Sequence, residues 1–377
     1  MTNIYHVIVN LNIGGAELML KRLLLECSSD NNYKQTVLTL QGPGIIDDDL
    51  RTKGIDVINL NMMSLKNFLP GLYKLIRMMR TKKPNAVFTW MYDADFIGGI
   101  SAYLAGIRNI IWGIRSTQVS QRKLSFRWLV LKLCSILSFV IPRVIVCCAH
   151  SGKSAHAQLG YCSKKMIVIP NGYDLTAFNP SQDLKNNIKK KLDIKEDSKV
   201  IGIVGRFDEL KDHNNFIQAA SRAAQKFDNL YFLMAGNGIN QQNSQLMSWI
   251  NKAKIKDKVL LFGQVDPHDI YAAMDFYCLS SKSEGFPNVV AEAMAMETPC
   301  IVTDVGDARI IVNNLGRVVP PSNPYQLSKA MVDMLEMPES EIIKMGSEAK
   351  QSIFDNYNIT KVAKQYLKLS HYGSYTR

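Results

Sequence analysis

The sequence predicts a two-domain α/β protein in which each domain is a doubly wound parallel sheet. Three observations carry that prediction. The chain of 377 residues exceeds the usual size of one domain. Short apolar runs alternate with helix-period patterns, as expected when helices connect parallel strands. The alternation breaks once, at the turn cluster Pro170-Asn171-Gly172-Tyr173-Asp174, and then restarts. A domain boundary is therefore expected near residue 172, with domains over 1–171 and 172–357.

In the first half, residues 4–9, 36–40, 56–60, 86–89, 110–113, 144–148 and 166–169 read as strands. Helical patterns over 16–28, 69–80, 94–105, 126–140 and 154–158 lie between some of them. A polar, lysine-rich stretch over 183–199 follows the turn cluster. Strands over 200–204, 230–235, 259–262, 276–279 and 300–303 then alternate with helices over 214–226, 244–253, 268–274 and 288–296. Two such domains facing each other would leave a cleft suited to a ligand.

Composition removes several classes. The seven cysteines include no Cys-x-x-Cys, and the six histidines no metal-spaced pair, so neither a disulfide framework nor a zinc site is expected. A reducing, cytoplasmic setting fits. The start, Met1-Thr2-Asn3-Ile4-Tyr5-His6-Val7, reads as a first strand and lacks the features of a signal peptide. No apolar run reaches 18 residues, so no spanning helix is expected.

The net charge is +12, and residues 1–175 hold +11 of it. The first half should therefore meet something anionic. No nucleic-acid motif accompanies the charge, so an anionic membrane surface fits better. Residues 121–146 are the membrane candidate, with Arg122, Lys123, Arg127, Trp128 and Lys132 among large apolar residues. A core helix whose basic residues lie at one end is the alternative.

The segment Ser283-Glu284-Gly285-Phe286-Pro287-Asn288, continuing to Glu292, is the most informative. Its two glutamates lie eight positions apart, one before a helix and one about a turn inside it. Gly285 permits a close backbone approach, and Pro287 suits a helix start. The free N–H groups of that start form an anion site. Carboxylates accept hydrogen bonds from hydroxyls, so a molecule with a diphosphate between two sugars fits. A capped surface helix with two glutamates is the plain alternative.

Gly205-Arg206-Phe207-Asp208-Glu209-Leu210-Lys211-Asp212 directly follows a strand. Cations at a strand's carboxyl end point into the ligand crevice of an open α/β sheet. Arg206 can grip a phosphate through two N–H groups, and Lys211 adds a point charge. Gly14 and Gly15 follow the first strand, where their N–H groups could approach a phosphate or a sugar; an ordinary tight turn fits equally. Gly236-Asn237-Gly238 is a turn that could touch a nucleotide base. Asp93 and Asp95, after the fourth strand, are candidates to bind a sugar or orient an acceptor hydroxyl, or else to cap a helix. Arg115, past the fifth strand, could contact a phosphate or form a structural ion pair.

These motifs together resemble glycosyltransferase family 4, retaining enzymes of GT-B fold: Glu284-x7-Glu292 with its Gly-Phe-Pro-Asn insert, Gly205-Arg206-x4-Lys211 and Gly14-Gly15. The resemblance implies Glu292 on the ribose, Arg206 and Lys211 on the diphosphate, and Glu284 on the sugar of a nucleotide-sugar, most simply a UDP-sugar. Gly14, Gly15, Gly285, Phe286, Pro287 and Asn288 would complete the donor site. It also implies a C-terminal helix, over about 358–377, that returns to the first domain. The transfer would retain configuration and need neither metal nor cofactor. Many relatives carry a histidine after the fourth strand. This chain has none there, which leaves Asp93, Glu284, Arg206 and Lys211 as the catalytic candidates. A lipid-diphosphate-linked sugar in bacterial polysaccharide assembly is the implied acceptor, with the enzyme peripheral on the inner membrane face. An epimerase of the same fold, a phosphorylase-type enzyme and a basic polyanion-binding module are the alternatives.

Overall fold

A computed structural model describes residues 1–62, 64–117, 125–178, 180, 182–191, 194–195, 197–264 and 267–371. The chain forms two compact units, Met1–Asp174 with Tyr357–Arg377, and Leu175–Asn356.

Unit 1 begins with β1 (Thr2–Ile8), α1 (Gly15–Cys27), β2 (Tyr33–Thr39), α2 (Asp47–Thr52), β3 (Asp56–Asn59) and α3 (Leu65–Lys82). It continues with β4 (Ala86–Trp90), α4 (Tyr92–Leu104), β5 (Ile110–Ile114), α5 (Phe126–Leu137), β6 (Val144–Cys147), α6 (His150–Leu159) and β7 (Met166–Val168). Unit 2 opens with α7 (Gln182–Lys191), β8 (Lys199–Val204), α8 (His213–Ala223), β9 (Leu230–Ala235), α9 (Ser244–Ala253) and β10 (Val259–Leu261). Then come α10 (Pro267–Ala273), β11 (Phe276–Leu279), α11 (Asn288–Ala295), β12 (Cys300–Thr303), α12 (Ala308–Val312), β13 (Gly316–Val319), α13 (Pro324–Leu335) and α14 (Glu339–Tyr357). The last helix, α15 (Ile359–Ser370), belongs to unit 1.

Both sheets are parallel. Their strand orders are β3-β2-β1-β4-β5-β6-β7 and β10-β9-β8-β11-β12-β13. Each order reverses once, between β1 and β4 and between β8 and β11. A reversal splays the connections after the two strands to opposite sides, opening a crevice at their carboxyl ends. The Gly14-Gly15 and Met91 turns sit at the first reversal, and the Arg206 and Glu284 loops at the second.

The central strands β4, β5, β6, β11 and β12 are buried on both faces because helices cover both. On one face of the first sheet, Leu20, Leu23 and Leu24 of α1 pack with Val362, Tyr366 and Leu369 of α15. On the other, Leu75 and Met79 of α3, Ala102 of α4 and Leu131 of α5 form a second layer. Helix α15 is further fixed at its end, where Arg143 Nη2 donates to the Leu369 carbonyl (2.7 Å) and Asn109 Nδ2 to that of Ser370 (2.8 Å).

The lysine-rich stretch 183–199, read from sequence only as a polar segment, contains α7. Apolar periodicity did not mark it, because charge holds it. Lys185 Nζ lies 2.7 Å from Asp275 Oδ1, with Lys189 at 3.6 Å and Lys199 at 3.8 Å from the same carboxylate. Burial alone would raise the Asp275 pKa; Lys185 and Lys189 hold it below the usual range.

Candidate active site

At the carboxyl end of β8 the chain turns at Gly205, whose amide donates to the Ala235 carbonyl (2.8 Å). Gly236, at φ 140°, lies so close that a Cβ there would strike the Gly205 carbonyl. Arg206 extends into solvent, its side chain 67% exposed, with Nη2 3.2 Å from Asp208 Oδ2. The Leu210 amide, and then Arg206, hold Asp208 below the usual carboxylate range. Asp208 thus anchors Arg206 without burying it. Behind this turn His213 stacks on Phe207, and burial lowers its pKa to about 4, so it stays neutral.

Lys211 points the other way. Its Nζ lies 2.7 Å from Glu284 Oε1, and Ser281 Oγ donates to the same oxygen (2.6 Å). The Lys211 backbone is held in turn by Ser280 Oγ, which donates to the Lys211 carbonyl (2.8 Å). Asp212, at φ 48°, then caps α8 and accepts from Ser322 Oγ (3.2 Å). Gly285 runs against the Gly306 turn, and the Asp307 amide donates to its carbonyl (2.9 Å). Glu292, inside α11, accepts from Tyr271 OH (3.1 Å). Unit 2 therefore brings Lys211 and Glu284 together on one face and aligns Glu292 through Tyr271. Arg206 stands apart from that pair.

One expectation needs correction: Pro287 caps α11 instead of opening it. The side chains of Phe286 and Pro287 are buried. Pro287 has no N–H to offer a ligand. Asn288 starts the helix and is half-buried.

In unit 1, Gly14 is the N-cap of α1 and Gly15 its first residue. The Glu17 carboxylate folds over Gly14, and burial raises its pKa. Asp93 is exposed at the start of α4, but neither aspartate caps that helix. Met91 does, at φ 74° and ψ 163°, a region nearly reserved for glycine. Asp95 is overturned as an acceptor contact. It is fully buried and accepts from Thr89 Oγ1 (2.5 Å) and the Gly113 amide (3.3 Å). Burial pushes its pKa up to about 8, so it is protonated at neutral pH.

Among the described residues Arg115 forms no ion pair. Its guanidinium donates to Asn171 Oδ1 (3.0 Å) and to Tyr366 OH, and lies 4.4 Å from the centroid of the Trp90 ring.

Helix α5 has two faces. Val130, Leu131 and Cys134 are buried, while Phe126, Leu129, Leu133 and Ile136 are exposed, Phe126 by 80% and Ile136 by 67%. Arg127 is exposed, whereas Lys132 Nζ donates to the Leu159 carbonyl (3.1 Å) and Trp128 is half-buried. Arg122 and Lys123 lie outside the described residues. Among the described residues no helix is long and apolar enough to cross a membrane, and no group of three or more metal-ligating side chains occurs.

Sequence reading missed Tyr271, Ser281 and Tyr366. Tyr271 and Tyr366 sit in helices and read as core aromatics. Ser281 lies three residues before Glu284, and a hydroxyl that close to a key carboxylate was the available signal.

Comparison with known proteins agrees with this geometry. Residues 13–177 match the model of Glycosyltransferase Family 4, and residues 185–364 that of Glycosyl transferases group 1. The chain is 26% identical over 328 residues to the UDP-Gal:alpha-D-GlcNAc-diphosphoundecaprenol alpha-1,3-galactosyltransferase of Escherichia coli, covering 84% of this chain and 82% of that enzyme. It is 23% identical over 303 residues to the capsular polysaccharide biosynthesis glycosyltransferase CapM of Staphylococcus aureus, covering 78% and 79%. The fold matches that of Anabaena HepE in complex with UDP and glucose, with a TM-score of 0.83 at 18% identity over 98% of this chain and 99% of that one. The chain belongs to glycosyltransferase family 4 and is a GT-B glycosyltransferase.

Proposed function

We propose that this glycosyltransferase moves a sugar from a UDP-sugar to a saccharide carried on a lipid diphosphate. The Lys211–Glu284 pair beside α11 is the observation that carries this reading. In it, unit 2 takes the donor. Glu292, oriented by Tyr271, accepts from the ribose hydroxyls, and Arg206 and Lys211 meet the diphosphate. Glu284, Gly285 and Asn288 engage the transferred sugar and its approach, with Gly14 and Gly15 of unit 1 as further donor contacts.

The bond between the sugar's anomeric carbon and the phosphate oxygen breaks, and its electron pair leaves with UDP. A bond from the acceptor oxygen forms on the same face, and the hydroxyl proton passes to the departing phosphate oxygen. Fixed cations lower the barrier because negative charge grows on the diphosphate as it leaves. Asp93, exposed at the start of α4, orients the acceptor hydroxyl. No metal takes part in this route, since Arg206 and Lys211 supply the positive charge. An inverted linkage in the product would exclude the route.

The E. coli relative acts on a diphosphoundecaprenol-linked sugar, which supports a lipid-borne acceptor. So does unit 1 itself. Its α5 exposes an apolar stripe, and between Asp95 and Asp174 the chain has ten lysines and arginines with no aspartate or glutamate. A cationic, partly apolar surface suits the anionic inner face of a bacterial membrane, where the protein would sit peripherally.

The test is UDP release from a panel of UDP-sugars, with and without lipid-diphosphate saccharides, for wild type and Glu292→Ala. Release that needs one donor and one acceptor, and falls about ten- to a hundredfold in the variant, is expected. Wild-type release unaffected by Glu292→Ala would refute the donor assignment.

A further inference from the structure

Among the described residues, a guanidinium at the carboxyl end of the first sheet is held in place by neutral groups. Arg115 follows β5, beside the point where the strand order reverses. One side is fixed by Asn171 Oδ1 and the other by Tyr366 OH, while the plane rests on Trp90, itself stacked on Tyr366 at 6.0 Å and 15°. The Arg115 Nε is buried with no hydrogen-bond partner. An arginine fixed so rigidly loses little further freedom when it binds.

Among the described residues it makes no ion pair. The one carboxyl group close behind it, Asp95, is buried and protonated at neutral pH. The next acidic residue along the chain is Asp174, and the intervening strands and helices carry cations only. Arg143 shows the contrast. It sits at the opposite end of the sheet, where it donates to the Leu369 carbonyl at the end of α15. The partial negative charge at a helix C-terminus offsets it. Arg115 instead meets an amide and a phenol. Beside it begins α6, whose Ser151 Oγ lies 3.4 Å from Thr117 Oγ1 in the loop after Arg115.

We infer that Arg115 is a phosphoryl-binding residue that reads the phosphate of a phosphate- or diphosphate-ester acceptor, and that Tyr366 of α15 is its positioning residue. This rests on the transferase reading above and deepens it. The last helix of the chain then serves two ends, closing the core of unit 1 and aiming a cation. Acceptors bearing a phosphoryl group next to the sugar are selected over neutral glycosides. The reaction that supplies a diphosphate-ester acceptor must leave its diphosphate in place, and so must be a phosphosugar transfer onto a lipid phosphate or a glycosyl transfer onto a saccharide already carried on a lipid diphosphate.

The test compares two acceptors with the same sugar and the same phenoxyalkyl chain, one joined through a diphosphate and one directly. Arg115→Met is expected to lower kcat/KM for the diphosphate acceptor about 10- to 100-fold, through KM. It should change use of the neutral glycoside less than threefold. Tyr366→Phe keeps the ring and should raise KM for the diphosphate acceptor about twofold to fivefold, with kcat unchanged. Equal losses for both acceptors in Arg115→Met would overturn the inference. So would a rise in donor KM, measured as UDP-sugar hydrolysis without acceptor, since that would put the donor's phosphate on Arg115. If no UDP-sugar is turned over at all, the transferase reading itself fails. Tryptophan emission under inorganic pyrophosphate, with saturating UDP present, then decides the phosphoryl site separately. A saturable change in wild type that is absent in Arg115→Met supports it, and equal titrations or no change in wild type refute it.

Discussion

In unit 2 the cations at the carboxyl end of the sheet come with carboxylates: Lys211 with Glu284, and Arg206 with Asp208. In unit 1, Arg115 occupies the corresponding end of its sheet with Asn171, Tyr366 and Trp90 around it. The two ends share a topology and differ in how charge is kept. A paired cation must loosen its partner before it binds an anion, and the freed carboxylate is then available for a sugar hydroxyl. One event can set both, which suits a donor that carries sugar and diphosphate together. A cation among neutral groups needs no such exchange and answers to phosphate alone.

Lys211→Ala probes the paired end most severely. It removes the cation proposed to face the leaving group and takes from Glu284, 12% exposed in the pair, its charged partner, with Ser281 as the remaining donor among the described residues. A fall in kcat of about 100- to 1000-fold is expected in UDP release. Arg206→Ala should cost about tenfold or less, because Arg206 is exposed and only loosely held. Equal losses would erase the distinction between a built pair and a surface cation.

Asp95 tests why the first end stays uncompensated. A buried acid whose folded pKa lies above its unfolded value favours the fold while protonated. That contribution is fully present below pH 3.8 and is lost as pH rises towards about 8. Asp95→Asn removes the titration. Its stability relative to wild type should therefore improve between pH 5 and pH 8, by roughly 3 kcal/mol at about 1.4 kcal/mol per pKa unit. Denaturant unfolding at the two pH values measures it. A constant difference would mean that Asp95 is ionised in the fold and already neutralises Arg115.

Smaller effects follow on the outer face of unit 1. Phe126→Asp with Ile136→Asp replaces two exposed apolar side chains of α5. Co-sedimentation with anionic phosphatidylglycerol vesicles should weaken by about tenfold or more, since burying each such side chain is worth about 1.5–3 kcal/mol. Turnover of a short water-soluble acceptor should be unchanged. Treatment with EDTA should alter turnover least, by less than about twofold. A larger loss would mean that Arg206 and Lys211 do not supply all the charge in the step.

The readable parts of the sequence were those where local chemistry and position coincide. Every strand from 4–9 to 300–303 was visible, the central ones because strands buried on both faces are continuous apolar runs. Glu284 and Glu292 were visible because the turn residues between them fix their setting. Helix α7 was not, since two of its lysines are held by one distant aspartate and leave no apolar periodicity. Strand β13 and helices α2, α12, α13 and α14 also went unread.

By itself, then, the sequence determined the doubly wound class, the donor motif and the cationic first half, all of which are written in residue order and composition. The tertiary structure alone decided which polar side chains are open to a ligand. Asp93 and Asp95 are two positions apart, yet one is exposed and the other is sealed beneath the β4–β5 edge and protonated there. Tyr366 meets Arg115 across 251 residues. Burial and long-range contact depend on how helices cover the sheet, and neither is carried by the neighbours a residue has along the chain.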